Sequence, residues 1–182
     1  MTLALVPGQA ERYSTFILGG EHYAIPESCV RQVLQDTAIA QVASAPRFLR
    51  GTINLGGKAL PVVDLGPRLG QAFRSTAART AVFVVEVQGE GHSMLLGLTA
   101  DTVGSRVQLS DRDVVAAPSF GTTNAMDSFI AGMGRHGEGL VLLLDVDRIL
   151  SPSEMLAAEE FTACAQLPAS PPAGSRGGLH SI

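Results

Sequence analysis

The apolar positions of this chain fall into short runs separated by Gly- and Pro-rich punctuation. In Gly51 to Leu65, GTINLGGKALPVVDL, Ile53 and Leu55 alternate with Thr52 and Asn54, the period of two of a half-buried strand. Gly56-Gly57 then supplies the positive φ angles of a tight I′ or II′ turn, so the stretch reads as a β-hairpin. Pro61 has no N–H to give to a ladder. It is expected at an edge, a strand start or a bulge, which places this hairpin, bent, at the rim of its sheet.

The same reading along the chain gives a loose leader to about residue 11 and a first hairpin from Tyr13 to Leu18 and His22 to Ile25, closed by Gly19-Gly20. A helical turn at Pro26 to Val30, a strand at Arg31 to Gln35 and a short extended piece at Ile39 to Val42 follow. After the central hairpin, Pro67 to Gly70 reads as a helical turn and residues 71 to 79 as a connecting loop. A second half then opens with Thr80 to Val87 and returns through Met94 to Leu98. Asp101 to Val103 stands where the earlier helical turn stood, Arg106 to Leu109 reads as a strand, and Val114-Val115 precedes Pro118. Phe129 starts a last hairpin whose return run is Leu140 to Leu144.

The order of runs and turns therefore repeats. Phe129, Gly132, Gly137, Asp145 and Leu150 follow Phe48, Gly51, Gly56, Asp64 and Leu69 at a constant offset of 81 residues, and Leu98, Val103 and Val107 follow Ile25, Val30 and Leu34 at 73. Many short strands with Gly-rich turns indicate barrels or a sandwich, and closed barrels would remove exposed edges. The expectation is two barrel-like halves, about 12–75 and 76–150, between which strands can exchange. Ser151, Pro152 and Glu154 form a capping box for a helix through about residue 160. Residues 161–182 include a Pro-, Gly- and Ser-rich run expected to be disordered.

Composition narrows the function. With 182 residues and 46% apolar content the chain can build a substantial core, filled mainly by Val, Leu, Ile and Ala since only 5% is aromatic and Trp is absent. A net charge of −4 argues against a nucleic-acid partner, which needs clustered Lys and Arg. Cys29 and Cys164 are too few for a disulfide framework or a thiolate metal cage, so a cytoplasmic setting is expected. The N-terminus has no basic region ahead of an apolar one and no run nears a membrane span, so membrane association would come through a partner.

Candidate chemistry mostly dissolves under this reading. Gly132 to Gly137 matches the dinucleotide pattern G-x-G-x-x-G, but it leads into the strand-like Leu140 to Leu144 and not into a helix whose N-terminus would meet a pyrophosphate. His22, His92, His136 and His180 lack metal-ligand spacing, so no metal or cofactor is expected. Asp64 and Asp145, at matching strand ends, read as caps of the turns that follow more than as a catalytic pair. Ser28, Ser44 and Ser119 sit outside any nucleophile elbow, and no basic group adjoins Cys29 to lower its pKa. No enzyme is expected; protein binding becomes the leading class.

From about Tyr13 to Leu150 the chain resembles the CheW family of chemotaxis adaptors. The resemblance is carried by Tyr23-Ala24-Ile25-Pro26 leading to Val30 and Val33, by Pro46, Gly51, Asn54-Leu55, Gly57 and Pro61-Val62-Val63-Asp64-Leu65, and by Gly97-Leu98, Asp101, Val103 and Leu142-Leu143-Leu144-Asp145. It implies a mainly β fold of two five-stranded SH3-like barrels on a shared core, with short helices and a C-terminal helix. It also implies a scaffold that binds the regulatory domain of a CheA-type histidine kinase and the cytoplasmic tip of a chemoreceptor. Partner contacts are then expected at Val30, Gln32, Val33, Ile53, Leu55, Gly56 and Lys58. Two positions depart from the family pattern: Gly56 replaces the Arg of N-L-R-G, and Gln32 replaces the acidic residue of V-x-E-[IV]. A guanidinium offers five donors in a fixed fork, and Lys58 or Arg50 would supply its charge without that geometry. The alternative is a divergent module with another signalling partner or a small-molecule ligand.

Overall fold

A computed structural model describes residues 10–71, 81–116 and 128–165. The expected C-terminal tail from 166 on, most of the 71–79 loop and most of the leader lie outside these residues. The first repeat supplies strands β1 (Glu11–Leu18), β2 (Glu21–Pro26), β3 (Val30–Leu34), β4 (Leu49–Leu55) and β5 (Lys58–Val63), then the single-turn helix α1 (Leu65–Arg68). The second supplies β6 (Ala81–Gln88), β7 (Ser93–Ala100), β8 (Thr102–Leu109), β9 (Val114–Val115), β10 (Ile130–His136) and β11 (Gly139–Leu144), and ends in helix α2 (Pro152–Ala165). The molecule is mainly β, with two SH3-like barrels.

Each sheet draws strands from both repeats. One runs β8-β1-β2-β11-β10-β9 and the other β3-β6-β7-β5-β4. The exchange is reciprocal: β11 lies parallel to β2 with Leu143 opposite Ala24, and β5 lies parallel to β7 with Val62 opposite Gly97, so both junctions keep the offsets of 81 and 73 found in the sequence. The two hairpins match in detail as well. Their registers break at Leu49/Gly51 and at Ile130/Gly132, and the N–H of Asp64 donates to Phe48 O (3.1 Å) as that of Asp145 donates to Phe129 O (2.8 Å). The first sheet has a sixth strand beyond the expected five because β9 pairs with Met133 and Gly134. Its counterpart in the second sheet is a single bridge from Ala40 to Thr52.

Three apolar clusters follow from the pleat. Alternate residues of the junction strands face opposite ways. Ala24, Val141 and Leu143 join Tyr13, Val107 and Leu109 inside the first barrel, and Val62, Val82 and Val84 join Ile53 and Leu60 inside the second. Tyr23, Ile25, Val63, Phe83, Val85 and Leu144 turn to a shared core between the barrels. Strands buried on both faces need unbroken apolar runs, which is why AVFVV and LVLLL lack the alternation of Gly51 to Leu55. Aromatics pack together there: Phe16 stacks on Tyr23 at 5.7 Å between centroids and meets Phe83 at 5.3 Å across the barrels.

The structure corrects several expectations. Pro61 is on the interior strand β5, and β4 forms the rim. Thr52 exchanges both backbone hydrogen bonds with Ala40 (2.8 and 2.9 Å), so it faces Pro61 as a non-hydrogen-bonded pair. The nitrogen of Pro61 therefore points toward β7, whose pairing with β5 begins only at Val62, and no ladder bond is lost. Asp101 to Val103 is no helical turn: Thr102 and Val103 already pair with Ile17 and Phe16, and the Asp101 carboxylate accepts from Gly19 N–H (2.8 Å) at the bend. Helix α2 continues past residue 160 to Ala165, because Phe161 is buried in the shared core and holds the last turns down.

Candidate functional site

The expected partner residues lie on the two edges of the second barrel. Val30, Gln32 and Val33 are on edge strand β3, and the rest are on the β4–β5 hairpin at the other edge. A bulge at Arg31, between the pairs Val30–Val85 and Gln32–Val84, puts Val30 and Val33 on one face three residues apart. That face is turned to the shared core, against which both valines are half-buried, while Gln32 is exposed. Arg31 is held across the strands by the Glu86 carboxylate, whose pKa is lowered by that guanidinium and by the Ser93 hydroxyl. This pair escaped sequence reading because only the strand register brings positions 31 and 86 together.

On the hairpin, Leu55 is half-buried against the barrel interior and Gly56 and Lys58 are exposed. Leu34 of β3 packs on the same interior cluster, so both edges lean on one core although no ladder joins them. Ile53 does not lie on the surface as expected: it is 3% exposed inside the barrel, because the β4 alternation that exposes Asn54 turns it inward. Gly56 and Gly57 have φ of +59° and +86°, as a I′ turn needs, and Asn54 Oδ1 accepts from Gly57 N–H (2.9 Å). Arg50 cannot stand in for a guanidinium at this turn: it lies at the far end of β4, its Nη1 3.7 Å from Asp64 Oδ2. Lys58 is the cation beside the turn.

The residues weighed for catalysis have structural work. Asp64 Oδ1 accepts from Gly66 N–H (3.2 Å) and Asp145 Oδ1 from Asp147 N–H (3.1 Å), so each caps the turn after its strand. Gly132 to Gly137 belongs to β10 and its turn into β11, with no helix to receive a phosphate. The Cys29 thiol points at Pro26 O, and burial pushes its pKa up to about 12, which keeps it protonated. Burial, then the neighbouring Glu11 carboxylate, likewise raise the pKa of the Tyr13 phenol. Among the described residues no group of His, Cys, Asp and Glu has metal-binding geometry, and no helix is long and apolar enough to cross a membrane.

These features define a class: an SH3-like double barrel in which each repeat completes the other's barrel. The chain belongs to the CheW-like domain family, which matches residues 12–154. It is 28% identical over 145 residues to the chemotaxis protein CheW of Klebsiella aerogenes, covering 80% of this chain and 84% of that protein. It is 28% identical over 143 residues to CheW of Rhizobium meliloti, covering 79% and 89%. The crystal structure of the scaffolding protein TtCheW from Thermoanaerobacter tengcongensis superposes with a TM-score of 0.69 at 25% identity, over 81% of this chain and 98% of that one.

Proposed function

We propose that this protein is a non-catalytic chemotaxis scaffold of the cytoplasm that couples chemoreceptors to a CheA-type histidine kinase through contacts of its barrels. The observation that carries this reading is the family match across both barrels together with a solved relative described as a scaffolding protein. The partner-facing set is Gln32, Gly56 and Lys58, with the accessible parts of Val30, Val33 and Leu55 as its apolar share. Edge strand β3, bulged at Arg31, gives a partner an unpaired backbone edge as well. The kinase's regulatory domain and the receptor's cytoplasmic tip are the two partners.

Titration of the protein against the isolated regulatory domain and against a peptide of the receptor tip tests this. Saturable binding to both in the micromolar range, weakened about fivefold or more by Lys58→Glu with no change in melting temperature, is the expected result. Absence of saturation with either partner at high micromolar concentration would overturn it. A second reading, a changed signalling partner, rests on Gln32 and Gly56, where the family's acidic and guanidinium groups are missing. It predicts that the restored pair, Gln32→Glu with Gly56→Arg, gains affinity for a kinase domain that the parent chain binds poorly.

A further inference from the structure

At the far end of β4 from the partner set, the segment before β4, the start of the strand and helix α1 line a half-open cavity of about 560 Å³. That lies within the range of roughly 300–1,000 Å³ common for small-ligand sites. Its walls are apolar, formed by Val42, Ala45, Pro46, Leu49 and Pro67, and its charged groups are Arg47, Arg50 and Asp64. The carboxylate is already committed. Asp64 Oδ1 accepts from Gly66 N–H (3.2 Å) and from the Thr99 hydroxyl (3.4 Å), and its side chain is only 10% exposed. Arg50 is almost as enclosed, with 13% of its side chain exposed, and the one carboxylate it meets among the described residues stands at 3.7 Å, beyond hydrogen-bond distance. Among the described residues no acceptor stands at bonding distance from this guanidinium, and none of their fully buried side-chain nitrogens lacks a partner, so the free donors of Arg50 are the ones that open onto the cavity, where a ligand can accept from them. Arg47 at the rim is exposed.

We propose that this cavity binds a small monocarboxylate with a compact apolar body. The carboxylate accepts from the Arg50 guanidinium, with Arg47 closing over it, and the apolar body lies against Val42, Ala45, Leu49 and Pro67. Charge decides between anions: two guanidiniums against one fixed carboxylate leave a net single positive charge, which matches a monoanion and leaves a phosphate dianion in excess beside Asp64. The apolar lining selects for a hydrocarbon body over a sugar or nucleotide. The site lies on the barrel that carries the partner set but shares no residue with it, so occupancy is separable from scaffolding.

The test is a backbone NMR titration of the full chain with benzoate and with isovalerate, against benzamide and inorganic phosphate as controls. Saturable shifts centred on residues 41–50 and Asp64 to Pro67 are expected with at least one carboxylate and with neither control. Arg50→Gln should weaken that binding about tenfold or more, in line with loss of a bidentate charge-assisted pair. Should Arg50→Gln fail to fold, the exposed Arg47→Glu variant answers the same question and should weaken binding several-fold. No saturable shift with either carboxylate up to about 10 mM, a weak limit on any affinity scale, overturns the proposal. So does equal binding of benzamide, tighter binding of phosphate, or undiminished binding by folded Arg47→Glu.

Discussion

Two glycines show how much of this molecule is decided by single residues. At Gly51 the backbone φ is +154°, and a Cβ would stand 2.2 Å from Ala40 O, the acceptor that fastens β4 to the preceding segment. Gly51→Ala must break that bridge, so a loss of at least about 2 kcal/mol in denaturant unfolding is expected, the usual scale for strain plus lost backbone bonds. Gly56 is different: a Cβ there meets nothing within 4 Å, and only the left-handed backbone resists substitution. Gly56→Arg should therefore fold, about 1 kcal/mol less stable, and report on partner affinity alone. Val30 offers no such clean test. It packs on the shared core opposite Val85, so Val30→Asp would lower stability and binding together. The sequence displayed both glycines through their repeat spacing, yet it could not separate Ile53 from Leu55. Both follow the same alternation, and they differ in their cross-strand partners: Ile53 faces buried Leu60, whereas Leu55 ends the strand opposite exposed Lys58.

At the scale of elements, helix α2 is the part of the fold whose anchoring depends most visibly on charge. Its capping box is complete: Glu154 N–H donates to Ser151 Oγ (3.3 Å) and Ser151 N–H donates to Glu154 Oε2 (2.9 Å). The same carboxylate pairs with Arg68 of α1, whose guanidinium lies over the rings of Phe48 (5.2 Å) and Phe129 (6.0 Å), one from each repeat. Partial burial works to raise the Glu154 pKa, but the Ser151 N–H and Arg68 hold it below its ordinary value of 4.5. A carboxylate depressed on folding adds stability in full above its unfolded pKa and loses it as pH falls through the folded one. The melting temperature should thus drop as pH is lowered below about 4.5, and Glu154→Gln should flatten that drop while lowering stability at neutral pH. The capping box was legible as Ser-Pro-Ser-Glu. The Arg68 pairing was not, because 86 residues separate the partners.

For the whole molecule, the repeat announced two equivalent units, and the periodicity of the hairpins announced β structure; neither fixed which strands close which barrel. Parallel pairing of β5 with β7 and of β11 with β2 is set by the shared core, where Tyr23, Phe83, Leu98 and Leu144 bury together. The sequential halves are consequently not independent units. Without β8 and β11, β1 and β2 lose both outer neighbours, and without β3 and β5, so do β6 and β7. Removing Phe83, 1% exposed between the barrels, should cost about 3–5 kcal/mol as Phe83→Ala, the range for a large core aromatic. The sharper expectation concerns how that loss is distributed. Hydrogen exchange at Ala24 in the first sheet and at Val84 in the second should be governed by one global opening, and Phe83→Ala should speed both by the same factor. Exchange that accelerates only in the second sheet would mean that the barrels open separately, and that the reciprocal strand exchange does not couple them.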